Sequence, residues 1–213
     1  TSYEIGGAGA AELIDNCQHI LLRCCVNLLE FYRRLGVERD ITFHREFTFI
    51  EPGGRSSILK SGMLPAPAHF TEAFLKLTFL NFQEKIAVGR ALLAMEKEKN
   101  RTDLDRITML DWLREKKQPA QAIERFWRQI LVSAINEDLD KMAAAHGLPV
   151  FRLGFLARTD AYQMGIPSVP LDELYTSAIW KRSPNAPPKW RTPASRLHPD
   201  TQRARAATGP PLV

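Results

Sequence analysis

Between Asp15 and Cys25 the chain reads DNCQHILLRCC, a carboxylate, two amides, an imidazole and three thiols gathered at the mouth of an apolar run. His19 is the member of this group whose ordinary pKa lies near neutrality. Asn16 and Gln18 are amides that can hydrogen-bond the polar edge of a bound molecule. Two readings stay open from the residues alone. In one, Asp15 or Asn16 caps a helix beginning near Gln18 and the rest is surface; in the other, the free N–H groups and positive dipole end of that helix face a cofactor or substrate pocket. Adjacent Cys24 and Cys25 are poorly placed to form a disulfide with each other, so they read as packing thiols.

Two further stretches offer chemistry. EIGGAGAAE has glycines at 6, 7 and 9, but the third position of a dinucleotide fingerprint would fall on Glu12, and the preceding TSYEI is short and polar. A loop or hairpin turn fits it better. FTEAFLKLTFLNF, residues 70–82, concentrates four phenylalanines and three leucines. It reads either as core packing or as the lining of a tunnel for a long apolar ligand or a bilayer contact, with Phe74 and Leu77 as candidate substrate-binding residues.

The elements that must position these residues follow from periodicity. Ile20 to Leu35 has apolar residues at spacings of three and four and stops at Gly36, which predicts an amphipathic helix with a glycine cap. ITFHREFTFI, the EPGG turn and RSSILKSG predict a hairpin across Ile41 to Leu59. LPAPAH is a proline-stiffened connector, and about 80 residues of helical pattern follow it. Within them Val88, Leu92 and Met95 share a face, and Thr108 with Asp111 resembles a capping box. Pro119 opens a helix whose stripe holds Ile123, Phe126, Trp127, Ile130, Leu131 and Ala134. Asn136 is expected to cap a helix ending at Gly147, and from Pro149 the pattern reads as extended, with helix restarting near Leu171. The domain reading is an N-terminal loop or strand remnant at 1–14, a helix and hairpin at 15–69, a helical subdomain at 70–148, a return segment at 149–180 and a tail at 181–213.

With 213 residues, 45% of them hydrophobic, the chain can bury a real core. Seven of its 29 Lys and Arg residues, and one of its 24 acids, fall in residues 181–213. The net charge of +5 therefore belongs to that tail, and the body's balance argues against a nucleic-acid partner. Seven prolines and few aliphatic residues predict a disordered tail. Three cysteines suit a reducing, cytoplasmic setting, and five scattered histidines give no metal-site spacing. The chain lacks an apolar run long enough to span a bilayer, so it is expected to be soluble, or at most attached peripherally to the inner membrane surface.

Several runs resemble one family in order and with natural spacing: IDNCQHILLRCCVNLLEFYRRLG, FTFIEPGGR, LPAPAHF, TMLDWLREKKQP, IERFWRQILVSAINEDLDKMAAAHG and VFRLGFL. Across about residues 11–175 the chain is similar to hydroxysqualene dehydroxylases, also called squalene-associated flavin-dependent desaturases, within the phytoene desaturase and amine oxidase set. The resemblance implies an α+β, mixed fold: a strand pair and a helical substrate subdomain of an FAD-linked oxidoreductase. The family's Gly-x-Gly-x-x-Gly turn and Rossmann-like opening have no match in this chain, which reads as an internal piece of the enzyme.

What the family does implies reductive removal of the hydroxyl of hydroxysqualene, giving squalene on the route to hopanoids. FAD is the implied cofactor and a long isoprenoid the implied partner. On this resemblance Asn16 and Gln18 become candidate cofactor-binding residues and His19 the candidate catalytic acid, with Asp15 second to it and better suited to capping. The competing expectation is a non-enzymatic helical interaction module whose basic disordered tail binds an acidic partner or RNA.

Overall fold

The structure is a computed structural model and describes residues 2–5, 12–15 and 20–175. Asn16, Gln18, His19 and the tail beyond 175 lie outside the described residues, as do Gly6 to Ala11. Strands β1 (Ser2–Ile5) and β2 (Glu12–Asp15) pair antiparallel, Ser2 opposite Asp15 and Ile5 opposite Glu12. The glycine-rich stretch between them, for which a loop or hairpin turn is expected, lies outside the described residues.

The predicted helix from Ile20 is shorter than its periodicity suggests. Leu21–Leu22 forms a two-residue strand, β3, and helix α1 begins only at Val26. Its N-cap is Cys25, without a side-chain hydrogen bond, so the helix opens ten residues beyond Asp15. Instead the Asp15 carboxylate accepts from the N–H of Leu171, the first residue of a short helix far along the chain, at 3.2 Å. At the other end α1 runs to Leu35 and stops at Gly36 with φ 76°, the left-handed conformation that glycine adopts without a Cβ clash.

The hairpin region divides between two sheets. β5 (Phe47–Ile50) and β6 (Ser56–Leu59) form the expected hairpin, with Gly53 and Gly54 at positive φ in its turn. β4 (Ile41–His44) leaves it for a three-stranded antiparallel sheet whose central strand, β7 (Met164–Pro167), lies more than 100 residues away and also pairs β3. Gly165 lets this sheet close, since a Cβ there would come within 2.9 Å of both Ile41 and Phe43. Leu21, Tyr32, Leu35, Val37, Ile41, Leu171 and Leu174 form the core beneath it.

The larger core belongs to the helices. α2 (Thr71–Lys76) and α3 (Phe82–Met95) come first, the latter opened by a complete capping box in which Asn81 and Glu84 each bond the other's backbone N–H. α4 (Met109–Glu115) starts at Thr108, whose Oγ1 accepts from the Asp111 N–H at 3.0 Å, the cap the spacing predicts. α5 (Ala120–Ala122) follows Pro119 and continues through a π-helical turn, Ile123–Trp127, into α6 (Arg128–Ile135). Trp112, Trp127, Leu131, Leu113 and Met109 are fully buried between these helices.

Two expectations in this region are corrected. Asn136 closes α6 in the left-handed conformation at φ 59° instead of opening the next helix, a position asparagine tolerates better than most side chains. The next helix, α7, spans Ala144–Phe151, encloses Gly147 and Pro149, and continues through a second π-helical turn, Arg152–Leu156. Pro149 therefore does not start an extended segment. A proline inside a helix costs about 3 kcal/mol, and burial of Leu148, Phe151 and Phe155 in the main core offsets it. Strand β7 and helix α8 (Leu171–Tyr175) then complete the described residues where the extended and helical patterns place them.

Candidate functional site

The 70–82 stretch is divided between two environments. Leu77, Phe79 and Leu80, in the turn after α2, are buried in the main core. Phe74, Leu75 and Phe82 line a groove of about 360 Å³, and Phe70 belongs both to the core and to the groove wall. Of the two candidate substrate-binding residues, Phe74 stands half-buried on the groove wall, whereas Leu77 packs in the core and does not line it. The core and tunnel readings of this stretch thus describe different faces of one segment.

Helix α3 supplies the opposite wall through Phe82, Ile86, Gly89 and Leu93, residues four, three and four apart and so on one face. Five phenylalanines form a continuous arc along the groove. Phe74 meets Phe126 edge-on at 5.8 Å, Phe126 stacks on Phe151 at 5.8 Å, Phe151 meets Phe155 at 5.6 Å, and Phe155 meets Phe70 at 5.9 Å. Such ring pairs add stabilisation beyond their buried area and hold the lining rigid. Phe126 and Phe155 each sit in a π-helical turn, where the wider winding re-aims side chains relative to a regular helix. Sequence reading missed Phe151 and Phe155; their spacing of four residues is a helical signal that Gly154 and Pro149 obscure.

Polar groups at the groove rim are already engaged. Lys85 Nζ donates to the Leu75 carbonyl at 2.6 Å, Thr71 Oγ1 donates to the Ala68 carbonyl at 2.8 Å, and Glu96 pairs with Lys99. The groove thus presents a mostly apolar wall, with no acid or base among the described side chains poised to act within it.

Behind the wall, between Ala68 and Phe70, His69 is 1% exposed with neither ring nitrogen hydrogen-bonded. Its burial holds its pKa below the usual histidine range and keeps the imidazole neutral at pH 7. At the start of α1 both thiols are free; the hydrogen bond between them holds Cys25 down at about 6 and pushes Cys24 up. A second, polar cleft of about 260 Å³ lies beside α1, where Arg33 pairs with Glu30, Arg158 pairs with Asp160 at 3.0 Å, and Arg23 stacks on Phe43 at 3.8 Å. These compensated charges describe a solvated face. Among the described residues, no group of three or more His, Cys, Asp or Glu side chains is placed to hold a metal ion, and no helix is long and apolar enough to cross a membrane.

No protein-family model matches the chain. Over 165 residues it is 27% identical to the zeta-carotene desaturase of Synechocystis sp., an alignment covering 72% of this chain and 34% of that protein. The likeness is to a desaturase. It supports a relationship with carotenoid and phytoene desaturase-like flavoproteins, without singling out the hydroxysqualene reaction. The chain spans about a third of the relative's length.

The flavin implied by such a relationship can be tested against the residues present. A dinucleotide grip needs a parallel strand running through its glycines into a helix N-terminus. The four strand pairings among the described residues are all antiparallel. Among the described residues, none forms the strand–turn–helix that grips a flavin's pyrophosphate.

Proposed function

We propose that this chain forms the ligand-binding wall of a desaturase-like, FAD-dependent oxidoreductase that acts on a long isoprenoid. The observation that carries the reading is the groove between α2, α3 and the two π-helical turns, whose lining is almost wholly apolar and whose rim polar groups are bonded elsewhere. Its volume falls in the range of small-molecule sites, and rigid aromatic walls suit a ligand with little polar functionality. The similarity to a carotene desaturase supports an isoprenoid over other apolar ligands.

The finer reading is reductive removal of the hydroxyl of hydroxysqualene. It rests on the stretches shared with the dehydroxylases, and in it His19 donates the proton to the departing oxygen while Asn16 and Gln18 contact the flavin. The groove's part is to bind the hydrocarbon, exclude water and hold the reacting carbon in place. Leu75, Phe82, Ile86 and Leu93 are exposed along its lip with Lys76 and Lys85 beside them, which supports peripheral contact with a lipid surface from which such a ligand enters. The competing reading, an interaction module, has no account of the aromatic arc.

Native mass spectrometry of the chain after exposure to squalene tests the binding reading. A one-to-one complex is expected, and a chain that emerges free at every squalene concentration would overturn it. For the finer reading, the longer enzyme containing this segment should convert hydroxysqualene to squalene, and His19→Gln should slow that conversion by about a hundredfold or more.

A further inference from the structure

Gly89 is the one glycine lining the groove among the described residues, and neither of the usual structural reasons explains it. It lies in the interior of α3, where glycine is less favourable than alanine. Its φ is not positive, so the backbone does not require it. Nor does a neighbour press against it: a Cβ at this position would meet nothing within 4 Å. Gly147 and Gly165 differ, because there the side chains of Met109, Ile41 and Phe43 occupy the space a Cβ would need. The volume beside Gly89 belongs to the groove itself.

Its position gives that volume a role. The α3 face of the groove runs from Phe82 to Glu96, with Gly89 midway between them. At about 1.5 Å per residue this face is roughly 21 Å long, with the gap about 10 Å from either end. On either side Ile86 and Leu93 project as apolar side chains, and the facing walls carry Phe74, Phe126 and Ile130. A side chain at the midpoint would divide one long channel into two short ones.

Resting on the isoprenoid reading of this groove, we infer that Gly89 determines the length of chain the site accepts. Glycine keeps both halves continuous, so a long isoprenoid lies across the midpoint, while a short one fits within one half. Gly89→Leu places a four-carbon side chain at the midpoint, its Cβ clear of every neighbour and its remaining carbons directed into the groove volume, so it blocks the long ligand. Gly89→Ala adds a single methyl group and serves as a control for the change in helix propensity.

The test is displacement of an anilinonaphthalene dye from wild type, Gly89→Ala and Gly89→Leu by geraniol and by geranylgeraniol, with the thermal midpoint of each protein measured in parallel. The expected result is that Gly89→Leu loses affinity for geranylgeraniol by at least about tenfold, keeps geraniol within about threefold, and unfolds at or above the wild-type temperature. Equal geranylgeraniol affinity in wild type and Gly89→Leu would overturn the inference while leaving the groove reading intact. Parallel loss of both alcohols, or a lowered midpoint in Gly89→Leu, would overturn it too, since the substitution would then act through the fold. If neither alcohol displaces the dye from wild type, the isoprenoid reading itself fails.

Discussion

Gln118 is a buried polar brace between α3 and the π-helical turn Ile123–Trp127, both of which contribute to the groove wall, and replacing it by Leu tests how those two elements are held together. Its Nε2 donates to the Ala87 carbonyl of α3 at 2.9 Å and to the Lys116 carbonyl at 3.1 Å, while its Oε1 accepts from Trp127 Nε1 at 2.9 Å. Trp127 is wholly buried, so Gln118→Leu strands its indole N–H, at about 1–3 kcal/mol. Loss of the two bonds to helix and linker carbonyls adds about 1 kcal/mol, giving a total of about 2–4 kcal/mol. Urea unfolding of wild type, Gln118→Leu, Trp127→Phe and the double variant isolates the pair. The double variant should recover part of the loss, with a coupling of at least about 1 kcal/mol. Trp112 provides the contrast: it is equally buried, but its Nε1 has no hydrogen-bond partner, so Trp112→Phe loses packing and part of a Lys116 cation–π contact but no hydrogen bond. A Gln118→Leu cost below about 0.5 kcal/mol, or no coupling to Trp127, would refute the brace.

Two other substitutions separate packing from titration. Gly147→Ala should destabilise by about 1–3 kcal/mol despite the better helix propensity of alanine, because its Cβ would come within 2.6 Å of the Met109 sulfur in the main core; an unchanged unfolding midpoint would show that Met109 moves aside freely. His69 has a pKa lowered by burial, so the unfolded chain binds its proton more readily than the folded one. Stability from this residue is complete above the unfolded value of about 6.5 and is lost as pH falls from there toward the folded value, with a slope of at most about 1.4 kcal/mol per pH unit. His69→Leu should abolish that acid sensitivity, and denaturation curves between pH 5 and 8 that stay parallel for the two proteins would show that His69 does not titrate on unfolding.

Local signals in the sequence carried the elements whose partners are near in the chain. Gly36 stops α1, the EPGG turn closes β5 on β6, Thr108 caps α4, and Trp127 lies at the centre of its stripe, each decided within a few residues. Errors arose where distant contacts overrule local preference. Leu21 and Leu22 fit a helical period, yet they pair with β7 because Gly165 lets three strands close together. Pro149 reads as a helix breaker, and only the buried aromatic residues around it keep α7 intact. The candidate site was half legible for the same reason. Phe74 was visible in a dense aromatic stretch, while Phe151 and Phe155 join it through tertiary packing that neither period nor composition reveals.

Photo-crosslinking with a diazirine-bearing geranylgeraniol, followed by peptide mapping, tests the central claim most directly, because it reports where an isoprenoid sits and does not depend on turnover. Labels are expected on residues 70–96 and 123–156, including the strip from Phe82 to Leu93, and excess unlabelled geranylgeraniol should suppress them. Labelling that is not suppressed by competitor, or that concentrates on α1 and the three-stranded sheet, would contradict an isoprenoid site in this groove.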